Sequence, residues 1–222
     1  MLAFSDVYQM ALQRVGSEEQ LGARMPEVLT AEALAARGDD RFLSDMSRRI
    51  FQAGLSHQMV NNKWPAFEEA FFHFNPKRCA FISAEEIEER MRDARLIRHL
   101  AKMKSISVNA FMVDDISSRH DGFGRWLAEW LVQHIVELWI YLKKQGAQLG
   151  GMSGPRFLRM TGKDTFLLTP DVVAALVNHG VIDKNPTSMK ALQEVQQHFN
   201  LWQEESGRPM AQISRILSLT VG

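Results

Sequence analysis

The sequence predicts an all-α fold. Apolar residues recur with a period near 3.6 along most of the chain, few runs alternate with period two, and helix start and stop residues flank the periodic segments. The length of 222 residues suits one substantial core or two closely packed lobes, so residues 1–222 are read as a single compact helical unit.

Phe4, Val7, Tyr8, Ala11, Leu12 and Val15 form one apolar stripe, and the helix they define should end at Gly16. Further helices fit Asp40 to Val60, Trp64 to Phe74, Ala84 to Met91 and Leu96 to Val113, with Pro65, Ser83 and Asp93 where starts or caps are expected. The aromatic-rich segment Gly124 to Lys144 reads as one longer buried helix. Pro155 to Met160, Pro170 to Asn178, Ser188 to Gln203 and Pro209 to Leu219 complete the set. No internal repeat or low-complexity linker interrupts it.

Lys plus Arg total 26 and Asp plus Glu total 26, which excludes a chain basic throughout but leaves room for a local patch. The one cysteine, Cys79, cannot close an intramolecular disulfide or build a multi-thiolate zinc site, and it reads as a small core residue. The opening MLAFSDVYQMALQRVG lacks the pattern of an export signal, and the most apolar stretch, Trp126 to Leu142, carries Glu129, Gln133, His134 and Glu137. A soluble, cytoplasmic protein without membrane contact is expected.

Two clusters of cations depart from neutrality. Arg95, Arg98, Lys102 and Lys104 follow an acidic run and read first as a solvated helix surface. Lys143, Lys144, Arg156, Arg159 and Lys163 are more informative, because no Asp or Glu lies between Leu138 and Lys163. They surround Leu149-Gly150-Gly151-Met152-Ser153-Gly154-Pro155, a turn between two helices. Such a glycine-rich reversal can present backbone N–H groups and a positive helix end to a phosphate, or serve as a plain hinge. No GxxxxGK[ST] motif is present, so a nucleotide loop is not indicated.

The turn resembles the hairpin of helix-hairpin-helix DNA glycosylases: Leu149, Gly151 and Met152 match, while Gly150 stands for the usual proline and Ser153 for the second glycine, with Gly154 following. Phe51-Gln52-Ala53-Gly54-Leu55-Ser56 is similar to the QAGLS segment of the 3-methyladenine DNA glycosylase I branch. Lys63 through Pro76 resembles its next helix and F-[DN]-P turn, and Leu96-Ile97-Arg98-His99 through Asn109-Ala110 its IIRHRxKIxAxxxNA region. The resemblance covers about residues 40–183. It implies an all-α helix-hairpin-helix glycosylase fold, duplex DNA carrying a damaged base as the partner, and release of that base by N-glycosidic hydrolysis. An alkylated purine is among the candidate bases. Residues 143–163 become the expected DNA-contacting region, with Gly151, Met152, Ser153, Gly154, Arg156, Arg159 and Lys163 as contacts.

By the same resemblance Phe51, His57, Trp64 and Arg49 fall at base-pocket positions. Arg49 stands where the branch usually has a glutamate, and His57 where it has an aromatic residue. The branch's zinc-knot cysteines and histidines have no counterpart here, so neither metal nor cofactor is expected. A substitute carboxylate is sought after the hairpin, where the superfamily often has an aspartate: Thr169 falls at that position and Asp171 lies beyond it. Asp171 is either a helix-end partner or a displaced catalytic carboxylate, with Thr169 the cap. Asp164 and Asp183 read as turn residues. The alternative to an enzyme is a catalytically inactive DNA-binding or damage-recognition protein on the same scaffold. No obligate protein partner is inferred.

Overall fold

The computed structural model describes residues 3–221, which are helical with no strand. In chain order the helices are α1 (Phe4–Val15), α2 (Glu18–Gly22), α3 (Ala31–Ala35), α4 (Asp39–Gln52), α5 (His57–Ala70), α6 (Pro76–Cys79), α7 (Ala84–Arg90), α8 (Leu100–His120), α9 (Phe123–Glu129), α10 (Ile135–Gln145), α11 (Ser153–Thr161), α12 (Pro170–Asn178), α13 (Met189–Ser206) and α14 (Met210–Ser218). Short 3-10 turns occupy Phe72–Phe74 and Val132–His134. Among the described residues no helix is long and apolar enough to cross a membrane.

Four expected elements differ, each for a local reason. The helix expected over Asp40 to Val60 is two, because Gly54 takes a left-handed φ of 79° and Ser56 caps α5 by accepting the Met59 N–H. Pro65, expected to open a helix, lies inside α5, where it leaves the Asn61 carbonyl without its helical donor. The helix expected from Leu96 starts at Leu100, capped by His99, and continues to His120, where Asp121 ends it with φ 56°. Asp93 instead organises a turn by accepting the Arg95 N–H. The long helix expected over Gly124 to Lys144 breaks at Trp130 and Leu131, both extended, and the Val136 N–H goes to the Gln196 side chain.

The chain divides into two compact units. The first comprises residues 30–130 and 138–161, and α4 is its centre, packing against α5, α8, α9 and α11. So little of α4 reaches solvent that Ser44, Asp45, Ser47, Arg49 and Gln52 are buried along with Phe42, Leu43, Met46, Ile50 and Phe51. Asp45 pairs with Arg37 and Arg48. An aromatic block lies against α4: Trp64 stacks on Phe67 at 5.0 Å and on Phe74 at 5.3 Å, and Phe71 continues the stack. Each such ring contributes on the order of 2 kcal/mol on burial. The Trp64 indole donates to Ser44 Oγ at 2.9 Å, and that hydroxyl donates to Glu68 at 2.6 Å, so the block buries no unpaired indole. Cys79 packs in this core, its thiol pushed up to about 12 by burial.

The second unit comprises residues 3–29, 131–137 and 162–221. Here α14 packs on α1, α12 and α13. Phe166 stacks on Phe199 at 4.2 Å, and Trp202 packs edge-on to Phe199.

Candidate functional site

The glycine-rich hairpin forms as expected. Helix α10 ends at Gln145, the chain reverses, and α11 begins at Ser153. The reversal is held by the Gly154 N–H on the Leu149 carbonyl and the Ser153 N–H on the Gly150 carbonyl, both 3.2 Å. Gly151 has φ 57° and open space around it, so its backbone is available to a close ligand. Gly154 is needed for packing: a Cβ there would lie 2.9 Å from the Leu149 carbonyl oxygen. Helix α11 buries Pro155, Phe157 and Leu158 while Arg156 and Arg159 stay partly exposed, as do Met152 and Ser153.

The hairpin has an anchor that the sequence reading did not single out. Asn109, fully buried on α8, accepts the Ala147 N–H at 2.7 Å and donates to the Ala147 carbonyl at 3.1 Å. One side chain thus fixes the entry of the turn through both backbone groups. Lys102 lies on the same helix, and its ammonium donates to the carbonyls of Phe51 at 3.3 Å and Ala53 at 2.5 Å. It closes the carboxyl end of α4 and sets the turn into α5. Both residues lie within a resembling segment, and Lys102, Ser105 and Asn109 form a polar series at i, i+3 and i+7 beside Met103, Ile106 and Ala110. That series was the available signal.

Arg49 comes from the last turn of α4 and is 6% exposed. Its Nη1 lies 3.4 Å from His57 Nε2; a guanidinium only donates, so that ring nitrogen accepts. Its Nε has no hydrogen-bond partner, and among the described residues no carboxylate pairs with it. Burial lowers the Arg49 pKa, and the like charge of Arg156 lowers it further. Lys102 is likewise lowered, by burial and then by Arg49. His57 itself is exposed at the first position of α5, next to first-turn amides that have no acceptor within the helix. Arg49, Lys102 and Arg156 therefore form a positive cluster near the junction of α4 and α5, with the His57 ring beside Arg49.

Phe51 and Trp64 do not face this cluster as base-stacking surfaces. Phe51 is fully buried, its ring packed on Phe67 at 4.7 Å, and Trp64 has its ring stacked on two phenyl rings. The expectation that they line a base pocket gives way to a core role, because neither ring has an open face.

In the second unit, Thr169 Oγ1 accepts the Val172 N–H at 3.3 Å and caps α12, which makes Thr169 a structural residue. Asp171 is exposed in the first turn, and among the described residues no hydrogen bond or ion pair engages its carboxylate. Lys163 is 4% exposed, and burial lowers its pKa to about 8, so it does not present its ammonium at the surface as a phosphate contact would. Asp164, expected at a surface turn, is buried: its carboxylate accepts the N–H groups of Met210 at 3.1 Å and Ala211 at 2.8 Å and caps α14. Asp183 is exposed. Among the described residues no group of three or more His, Cys, Asp and Glu could hold a metal ion.

The sequence profile of the methyladenine glycosylase family matches residues 34–148, just over half of the chain. The chain belongs to this family. Its match to the family begins before α4 and ends within the hairpin, short of the 40–183 span that the motifs suggested. Among relatives of the methyladenine glycosylase kind, a DNA-3-methyladenine glycosylase of Haemophilus influenzae is 44% identical over 59 residues, 27% of this chain and 32% of that protein. The aligned part thus spans about a third of the curated relative's length. The 3-methyladenine DNA glycosylase I of Staphylococcus aureus superposes with a TM-score of 0.52 at 21% identity, covering 63% of this chain and 80% of that one. An 8-oxoguanine glycosylase/lyase of Methanocaldococcus jannaschii, solved with DNA containing 8-oxoguanine, gives 0.56 at 12% identity over 95% of this chain and 94% of that one. At these identities the two structures establish the all-α glycosylase fold.

Proposed function

We propose that this protein is a metal-independent DNA N-glycosylase that binds duplex DNA through the 146–161 hairpin and hydrolyses the bond between a damaged base and its sugar. Membership of the methyladenine glycosylase family carries the reading. The curated relative is named for 3-methyladenine, and the neighbours in fold are named for 3-methyladenine and 8-oxoguanine. The open turn at Gly151, pinned by Asn109 and continued into the partly exposed Arg156 and Arg159, offers backbone and cations to a phosphate without reading sequence. Met152 and Ser153 complete that surface, and Lys163 is left out of it. Arg49 and His57 are assigned to the base. The carboxylate that favours positive charge developing on the sugar is assigned to Asp171 rather than to Thr169, whose hydroxyl is committed to its cap. The proposed DNA substrate is the ground for reading the protein as DNA-associated and cytoplasmic.

The test is a set of sealed duplexes, each carrying one damaged base, incubated with excess protein and then treated with alkali. Cleavage at the damaged position in at least one duplex, absent from undamaged controls, is expected. Lesion-selective binding without alkali-labile sites would replace the enzyme with a recognition protein, and the absence of any salt-sensitive duplex binding would remove DNA altogether.

A further inference from the structure

The cluster at the end of α4 is built from positive groups alone. Arg49 is more than nine-tenths buried with its Nε unpartnered, Lys102 is 7% exposed, and Arg156 acts on Arg49 with the same sign. A buried cation is ordinarily matched by a carboxylate, because desolvation without a partner opposes folding, and in this same unit even the partly exposed Arg41 is matched by Glu68. Lys102 has two carbonyl acceptors and Arg49 only the neutral nitrogen of His57, so the cluster keeps an unmet attraction for negative charge. The first turn of α5, which opens at His57, adds the positive end of its helix.

We infer that Arg49 and His57 receive a neutral base bearing carbonyl oxygens, one that leaves the sugar as an anion, and that the cluster disfavours a base already positively charged by alkylation. The inference rests on the glycosylase reading above. In the hydrolysis the C1′–N bond breaks and its electron pair stays on the base nitrogen. A water oxygen bonds to C1′ and one water proton is released, while the departing base takes up one proton. From a neutral base the leaving group is an anion until that proton arrives, and a guanidinium held 3.4 Å from an accepting imidazole can donate to its oxygens. From a cationic base the leaving group is neutral, and Arg49 repels the ground state it must first bind.

Single-turnover base release should be compared on duplexes carrying uracil, hypoxanthine or 8-oxoguanine and on duplexes carrying 7-methylguanine or 3-methyladenine. The wild-type protein should release at least one neutral oxo base faster than either methylated purine by roughly tenfold or more. Arg49→Gln should narrow that ratio and Arg49→Glu should invert it, in protein whose circular dichroism is unchanged. Faster release of a methylated purine by the wild-type protein overturns the inference while leaving the glycosylase reading standing, and this ranking needs no variant to fold. An Arg49→Gln protein that binds every duplex more weakly with the same base ranking also overturns it, since Arg49 would then be a phosphate contact. No release from any duplex ends both.

Discussion

Lys163 carries a testable consequence of its burial. Its folded pKa of about 8 lies below the ordinary 10.5, so below pH 8 the folded state holds a desolvated charge that the unfolded state keeps in water. Between those two values the unfolded chain binds more protons, and stability should rise with pH. Below pH 8 both states hold the proton, so the dependence on this group levels off. Urea unfolding at pH 7.5, 9 and 10 should show this rise in the wild-type protein and its loss in Lys163→Met; a rise of equal size in both would exclude Lys163 as its source. Thr169 and Asp171 are separated by a second comparison. Thr169→Val removes a cap and should cost about 1 kcal/mol with base release intact, whereas Asp171→Asn should leave stability within about 0.5 kcal/mol and slow release strongly. Normal single-turnover chemistry in folded Asp171→Asn would reject the carboxylate assignment. The identity of these residues was readable in the sequence, but their burial was not. Nothing local distinguishes Lys163 beneath a surface from Arg156 partly on it, and Phe51 and Trp64 were given pocket positions that only packing could reassign to the core.

At the scale of the element, the hairpin depends on geometry more than on composition. Gly151→Val places a β-branched residue at φ 57°, which should cost about 1–2 kcal/mol and reduce duplex affinity, while Gly151→Asn tolerates that backbone and should bind nearly as well. Asn109→Ala leaves both backbone groups of Ala147 without their partner; a loss of about 1–3 kcal/mol in thermal unfolding, with duplex binding weakened on every sequence, is the expected result. An Asn109→Ala protein with unchanged stability and affinity would show that the turn holds its shape without the anchor. Caps whose donors and acceptors lie within three residues, such as Ser83 and Ser188, were legible because the whole interaction is written in one segment. Gly54 offered an equally local mark of a break, yet the expected helix ran through it from Asp40 to Val60. The break at Trp130 and Leu131 was not legible, since no glycine or proline marks it and the acceptor that replaces the helical one, Gln196, is far along the chain. The Asn109 anchor escaped for the same reason, although the polar series on α8 hinted at it.

For the whole molecule, a formal net charge of zero means that DNA attraction must come from local charge, namely the acid-free stretch between Leu138 and Lys163. Duplex affinity should fall with salt, and Arg156→Ala should lower the slope of log affinity against log salt by about 1 without changing which base is preferred. An unchanged slope would place the DNA contact elsewhere. The central claim is that contact of this kind ends in scission of a base from its sugar. Mass detection of the free base after a single turnover on a damaged, sealed duplex tests it most directly. The account predicts one free base for each abasic site formed, from a damaged duplex and not from its undamaged counterpart; a protein that binds the damaged duplex selectively yet leaves every base attached would contradict it.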